Sequence, residues 1–379
     1  MYIEIANDIV EDAIGKAAND VNDSLDLLIL FALNAQRGKH IVHVPCLHNN
    51  PETIRALTNL MGRSYVDFLR QSERMYYQLP RIKELVSNYV LVSFNRQTDD
   101  GKAILINPII ERKFEAYNET HVITENILDS IFFKYIVKFY LRENAIRYCN
   151  ISFYPVMGGG DTTADVLRHE IEDGRFLCLV ITDSDRKFPD SKYGQTALKI
   201  KDVMETYSPF HCDLYIMDQV MEVENLIPFS VVEKAASNRG FSQVFGKDAS
   251  FYDMKCGLTL NCLFDDNVCR YWSKQLYQGE INLEQRNDAK AHSSSRKNYQ
   301  SYIESHNYNK QLTSGFGSDL LYRCTNDFDV NGNRIDASIK EDLMKVKRRD
   351  LTTFQLNEWL RIGRVLFSWT CGMTQRRVG

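Results

Sequence analysis

The chain has no run approaching the roughly 18 apolar residues that a membrane-spanning helix needs. Its first residues, "MYIEIANDIVEDAIGK", lack the basic start and apolar stretch of a secretory signal. CxxC pairs are missing as well. Nine cysteines, an odd number, are scattered singly, which excludes a disulfide framework and suits reduced thiols. Excess positive charge is absent: 46 basic against 50 acidic residues leave a net charge of −4, so there is no uniformly basic coat, although local patches can still bind phosphates. Internal repeats are not found. These absences describe a cytoplasmic globular protein of ordinary composition, 44% hydrophobic and 25% charged. At 379 residues the chain is too long for one core and fits two or three domains.

Three stretches differ in rhythm. Residues 1–117 read as an N-terminal α+β domain, with helical patterns ("SLDLLILFALNAQ", "PETIRALTNLMGRSYVDFLRQ") around strand-like "HIVHVP", "NYVLVSF" and "AILINPII". Residues 118–230 alternate strand and helix. Strands are expected at 121–124, 151–156, 176–182 and 212–217, with helices at 127–143, 162–173 and 194–206. Strands apolar on consecutive positions are covered on both faces, which predicts an α/β fold with a parallel sheet and helices either side. Residues 231–379 are mixed and mainly helical, with a polar loop or solvated helix at 284–310.

The strand "FLCLVIT" runs straight into Asp183 and Asp185, followed by Arg186 and Lys187. Ligands of parallel sheets sit beyond the carboxyl ends of the strands, and other acids gather there too. Glu125 follows the first strand, with Asp129 one helical turn later. Asp218 follows the fourth strand, with Glu222 and Glu224 in the loop beyond. Grouped carboxylates repel one another unless a cation neutralises them, and a hard ion such as Mg²⁺ suits an all-oxygen set.

The order of these residues resembles the TOPRIM domain of topoisomerases, primases and OLD-family nucleases. "TENILDSIFFK" is similar to that family's Glu-X-X-X-Asp element, and "VITDSDRK" to its Asp-X-Asp strand end. Glu224-Asn225 followed by "LIP" resembles the TOPRIM-like toxin subunits of bacterial anti-phage systems. The resemblance covers roughly residues 118–230. Asn126 stands where the family often has a glycine. No GxxxxGK[ST] loop is present, so an ATPase would be a separate partner. The resemblance implies a TOPRIM-like, Rossmann-like catalytic domain with Mg²⁺, or Mn²⁺, as cofactor and DNA or RNA as substrate. It makes Asp183 and Asp185 metal ligands, Glu125 a ligand or general base, and Asp129 with Glu224, or with Glu222 in its place, the completion of a second metal position. Lys187 or Arg186 would neutralise the scissile phosphate. A regulatory partner and self-association are compatible with this reading, and no membrane is required.

Plainer readings stand beside it. An Asp-X-Asp strand end also serves glycosyltransferases that bind nucleotide sugars, and an acidic pocket also serves a non-enzymatic metal or nucleotide sensor. "MGGGDTT" (157–163) is a phosphate-binding helix start or a tight turn with a cap. "DFDVNGNRIDAS" (327–338) imitates an EF-hand opening, but Ser338 replaces the closing glutamate, and Asn331-Gly332 is a strong hairpin turn. His43, Cys46 and His48 offer only three zinc ligands on one short loop. Asp253 and Lys255 form a D-x-K that reads as an amphipathic strand. The basic runs 346–349 and 374–377 and the tyrosines of 295–310 read as solvated surface.

Overall fold

The apolar runs of the first 117 residues become four short strands: β1 (Tyr2–Ile5), β2 (Ile41–His43), β3 (Tyr89–Val92) and β4 (Ala103–Ile106). The structure, a computed structural model, describes residues 1–16, 21–95, 101–108, 114–236, 249–273, 287–289, 291 and 296–374. The serine run at 293–295, parts of 284–310 and the basic residues 375–377 lie outside the described residues. The four strands pair in parallel in the order β2-β1-β3-β4. Residues 1–117 are therefore parallel α/β, not the α+β mixture expected. Hydrophobic periodicity reveals that a segment is a strand, but not its partner or direction. The helical pattern over 51–71 breaks into Pro51–Met61 and Arg63–Leu69. Gly62 separates them at φ 87°, a left-handed value that only glycine adopts cheaply.

The second sheet is built from β5 (Thr120–Thr124), β7 (Phe153–Met157), β8 (Cys178–Thr182) and β9 (Cys212–Ile216), after a separate short strand β6 (Cys149–Ile151). Its order is β7-β5-β8-β9. β5 pairs in parallel with β7 and β8, and Thr124 lies opposite both Met157 and Ile181. The connecting helices are Ile127–Glu143, Thr163–Asp173 and Gln195–Tyr207, within a residue of the sequence reading. Ala164, Leu167, Ile200 and Val203 from the last two helices pack on Ile123, Val180, Cys178 and Cys212 of the sheet. Helix Ile127–Glu143 packs on β5 and β7 without entering that cluster, and its Phe132 and Phe139 meet Trp359 edge-on. All five residues of β8 are buried, worth about 1.5–3 kcal/mol for each large aliphatic side chain.

The chain divides into two compact units. One holds Met1–Ile181, Lys199–Tyr215 and Trp359–Gly379, and so carries both parallel sheets and the antiparallel pairing of β6 with a last strand, Cys371–Met373. The other holds Thr182–Leu198 and Ile216–Glu358, with an antiparallel ribbon of β10 (Gly257–Thr259) and β11 (Gln311–Ser314). Within 284–310, helix Arg296–Ser305 buries Ile303 against Phe264 and Ala289, and the Tyr302, His306 and Tyr308 rings pack on one another. No helix among the described residues is long and apolar enough to cross a membrane.

His40 is fully buried, with Nε2 2.6 Å from the Asn118 carbonyl. Burial holds its imidazole well below the ordinary value. The unfolded chain then binds the proton more readily than the folded one, so stability falls as pH drops below about 6.5. Thermal unfolding between about pH 7 and about pH 5 checks this: His40→Gln is expected to flatten the acid-side loss, and an unchanged slope would count against it.

Candidate functional site

β8 is apolar to its last residue because both faces are covered, and the chain leaves the sheet after Thr182 straight into a polar turn. In an open parallel sheet of order 2-1-3-4, connections diverge between the first and third strands, here β5 and β8, and ligand sites favour that edge. The turn after β8 is tied to the loop that follows β9. Asp183 accepts the Val223 N–H on Oδ1 at 2.9 Å. The buried Ser184 hydroxyl donates to the Val220 carbonyl at 2.5 Å, and the Asp185 N–H donates to the Met221 carbonyl at 2.9 Å.

Asp185 sits at φ 52°, a left-handed conformation that aspartate tolerates better than most residues but that still carries strain. Gly194 holds it there. The Gly194 N–H donates to the Ser184 carbonyl at 2.9 Å, and a Cβ at position 194 would come within 2.2 Å of the Asp185 carboxylate. Any larger residue would push that carboxylate aside.

The loop after β9 is fixed by buried polar contacts. Asn225 donates to the Ala249 and Tyr252 carbonyls at 2.8 Å each and accepts the Glu222 N–H. Gln355 donates to the Asn225 and Ile227 carbonyls. Glu222 accepts the Met254 N–H on Oε1 at 2.8 Å. Its Oε2 lies 3.1 Å from Lys255 Nζ, and Glu224 Oε2 lies 3.2 Å from the same nitrogen. The backbone of Met254 and Lys255 is pinned by the N–H groups of Phe316 and Gly317. Six titratable side chains of one compact unit thus act on one another: Asp183, Asp185, Glu222, Glu224, Asp253 and Lys255.

Five carboxyl groups share one ammonium, so the acids are driven toward their neutral forms. Burial first, then the charge of Glu224, raises the Glu222 carboxyl above the usual range. Burial also raises Glu224, against the pull of Lys255. Burial works to lower Lys255, but Glu224, Glu222 and Asp183 outweigh it and keep the ammonium protonated. Both glutamates are almost fully buried, while Lys255 keeps 33% of its side chain exposed. Glu224 Oε2 has no hydrogen-bond partner beyond its ion pair with Lys255.

Asp183, Asp185, Glu222 and Glu224 therefore belong to one cluster. Asp253 and Lys255 belong to it as well, although the sequence reading sets their D-x-K aside as an amphipathic strand. The segment is a turn that ends before β10, and the D-x-K spacing was the one available signal. Glu125 follows β5 in the other compact unit, just beyond Thr124, which pairs with Ile181 of β8. Asp129 accepts the Asn126 N–H at 2.9 Å in a capping box, so it closes the helix start. Asp218 accepts from Gln219 at the turn after β9. Lys187 is exposed, and Arg186 lies over the Tyr193 ring at 4.2 Å with Nη1 on the Asp218 carbonyl.

The other candidates resolve as structure. In "MGGGDTT" the Gly158 and Gly159 N–H groups donate to the Thr124 and Glu125 carbonyls, so two of the supposed phosphate donors bind the end of β5. Residues 327–338 form the hairpin turn, with Phe328 bridging Arg334 and Asp329 accepting from Asn331 and Asn333. His43 bonds Tyr2, and His48 stacks on Tyr76. A cavity of about 520 Å³ in the first unit is lined by Asp23, Asp26, Glu115 and Arg175 over apolar residues and shares no residue with this cluster.

Among the described residues, no three His, Cys, Asp or Glu side chains already stand as a metal cage. Lys255 lies between the two glutamates. The donor set is nonetheless all carboxylate, with one buried oxygen left to a single lysine, and that chemistry fits a hard divalent cation. Fold and cluster together define an α/β protein with two four-stranded parallel sheets and a buried acidic centre. Compared with protein-family models, curated proteins and solved structures, the chain matches none.

Proposed function

We propose that this protein is a Mg²⁺-dependent nuclease that hydrolyses phosphodiester bonds of DNA or RNA through a TOPRIM-like domain. As the sequence resemblance suggests, it acts as a toxin-type effector of anti-phage defence beside a separate ATPase or regulatory partner. One observation carries the reading: Glu222 and Glu224 close on Lys255 at 3.1 and 3.2 Å, in the compact unit that also holds Asp183 and Asp185, whose charges act on the same lysine. A glycosyltransferase would use the Asp183/Asp185 pair alone and leave the two buried glutamates without a task.

The four carboxylates would hold Mg²⁺ or Mn²⁺, which supplies Lewis-acid polarisation of phosphoryl oxygens and an acidified water. Asp183 keeps its orientation through the Val223 N–H, and Asp185 through the wall that Gly194 forms. Lys255, protonated and partly exposed, stabilises negative charge on the phosphate as the bond breaks. Burial of the glutamates limits competing water. The test incubates the full chain, alone and with any partner, against plasmid, single-stranded DNA and tRNA. Cleavage in Mg²⁺ and none in EDTA is expected. Ion-dependent self-association without cleavage of any substrate would instead favour a sensor.

A further inference from the structure

Cys178 opens β8 and Cys212 opens β9, which is the edge strand of its sheet. The Cys178 N–H donates to the His211 carbonyl at 2.9 Å, and the Met217 N–H donates to the Thr182 carbonyl at 3.1 Å. In a parallel ladder those two bonds set Cys178 directly opposite Cys212. Neighbouring strands run about 4.8 Å apart, inside the Cα separation that a disulfide spans without backbone movement. Both side chains enter the same apolar cluster, with Val180, Ile200 and Val203.

A third group stands beside them. His211 is 5% exposed, packed between Phe114 and Phe210, and neither ring nitrogen has a hydrogen-bond partner of normal geometry. Its ring contacts Cys212. The nuclease reading gives this buried ring no task.

We propose that Cys178 and Cys212 are a redox pair that hydroperoxides convert to a disulfide, with Cys212 reacting first. Cys212 lies on the edge strand, and the neighbouring Cys178 thiol, against burial and with help from His211, shifts its thiol below the ordinary value, which favours its thiolate. The Cys212 sulfur attacks a peroxide oxygen and the O–O bond breaks. This gives a sulfenic acid at Cys212 and one hydroxide, which leaves as water. The Cys178 sulfur then attacks the sulfenic sulfur, the S–S bond forms, and the sulfenic hydroxide leaves as water with the Cys178 proton. Two thiols lose two electrons, and one hydrogen peroxide becomes two waters. Cys256, exposed and distant in sequence, is not part of the pair.

The experiment treats the reduced full-length protein with hydrogen peroxide, denatures it, blocks free thiols with iodoacetamide and maps the peptides by mass. The expected result is a linked pair of peptides bearing Cys178 and Cys212. Alkylation of both is lost together and dithiothreitol restores it. In Cys178→Ser, a dimedone adduct is expected to accumulate at Cys212. Full alkylation of both cysteines in the treated wild type, or oxidation of either without the link, overturns the proposal. Neither outcome depends on nuclease activity.

Discussion

Asp183→Asn is expected to leave the fold intact and to lower Mg²⁺-dependent cleavage about 10²–10³-fold, the scale of losing one stabiliser of transition-state charge. The asparagine keeps an oxygen for the Val223 N–H, so the turn after β8 retains its anchor. What disappears is a negative charge among the carboxylates that face Lys255. Mn²⁺ affinity, read by calorimetry, should fall with activity while the melting temperature stays within about a degree. Cleavage equal to that of the wild type would remove the acidic cluster from the reaction.

Lys255→Met is expected to produce the largest loss of stability. Methionine keeps the length and apolar stem of the side chain but leaves Glu222 and Glu224 buried without a cation. Removing one partner of a buried ion pair costs about 3–5 kcal/mol, and the exposed part of the lysine reduces this to about 2–3 kcal/mol. For a chain of this size the melting temperature should fall by about 3–4 °C. Added Mg²⁺ or Mn²⁺ should recover a large part of that fall, with a smaller shift in the wild type, because the ion replaces the missing charge. Cleavage should stay impaired even with the ion bound, since Lys255 would no longer face the phosphate. A variant as stable as the wild type, indifferent to divalent ions, would show that Lys255 is not the counter-charge of the cluster.

Much of the second sheet was legible before any coordinates. Helix Ile127–Glu143 occupies the residues expected, and Cys178–Thr182 is a strand buried on both faces, because runs of apolar residues carry their burial with them. The first sheet was legible only in parts. Its strands stood out, but β1 lies between β2 and β3, far apart in sequence, and pairing over such distances leaves no local mark. The site divides in the same way. Asp183, Asp185, Glu222 and Glu224 follow strand ends, which runs of consecutive apolar residues reveal. Asp253 and Lys255 lie in an irregular turn before β10, where no periodicity points.

By itself, the sequence determined which segments are strands and helices, that no described helix spans a membrane, and that acids cluster after β8 and β9. Local patterns of apolar and charged residues encode those facts directly. Only the tertiary structure decided that Lys255 is the cation among the acids, and that Asp129 caps a helix. It alone decided that Cys178 faces Cys212. Each depends on strand register or on a loop folding back from a distant segment. Contacts of that kind are set by the packing of the whole chain, because burying a charge is tolerable only where a partner arrives from elsewhere.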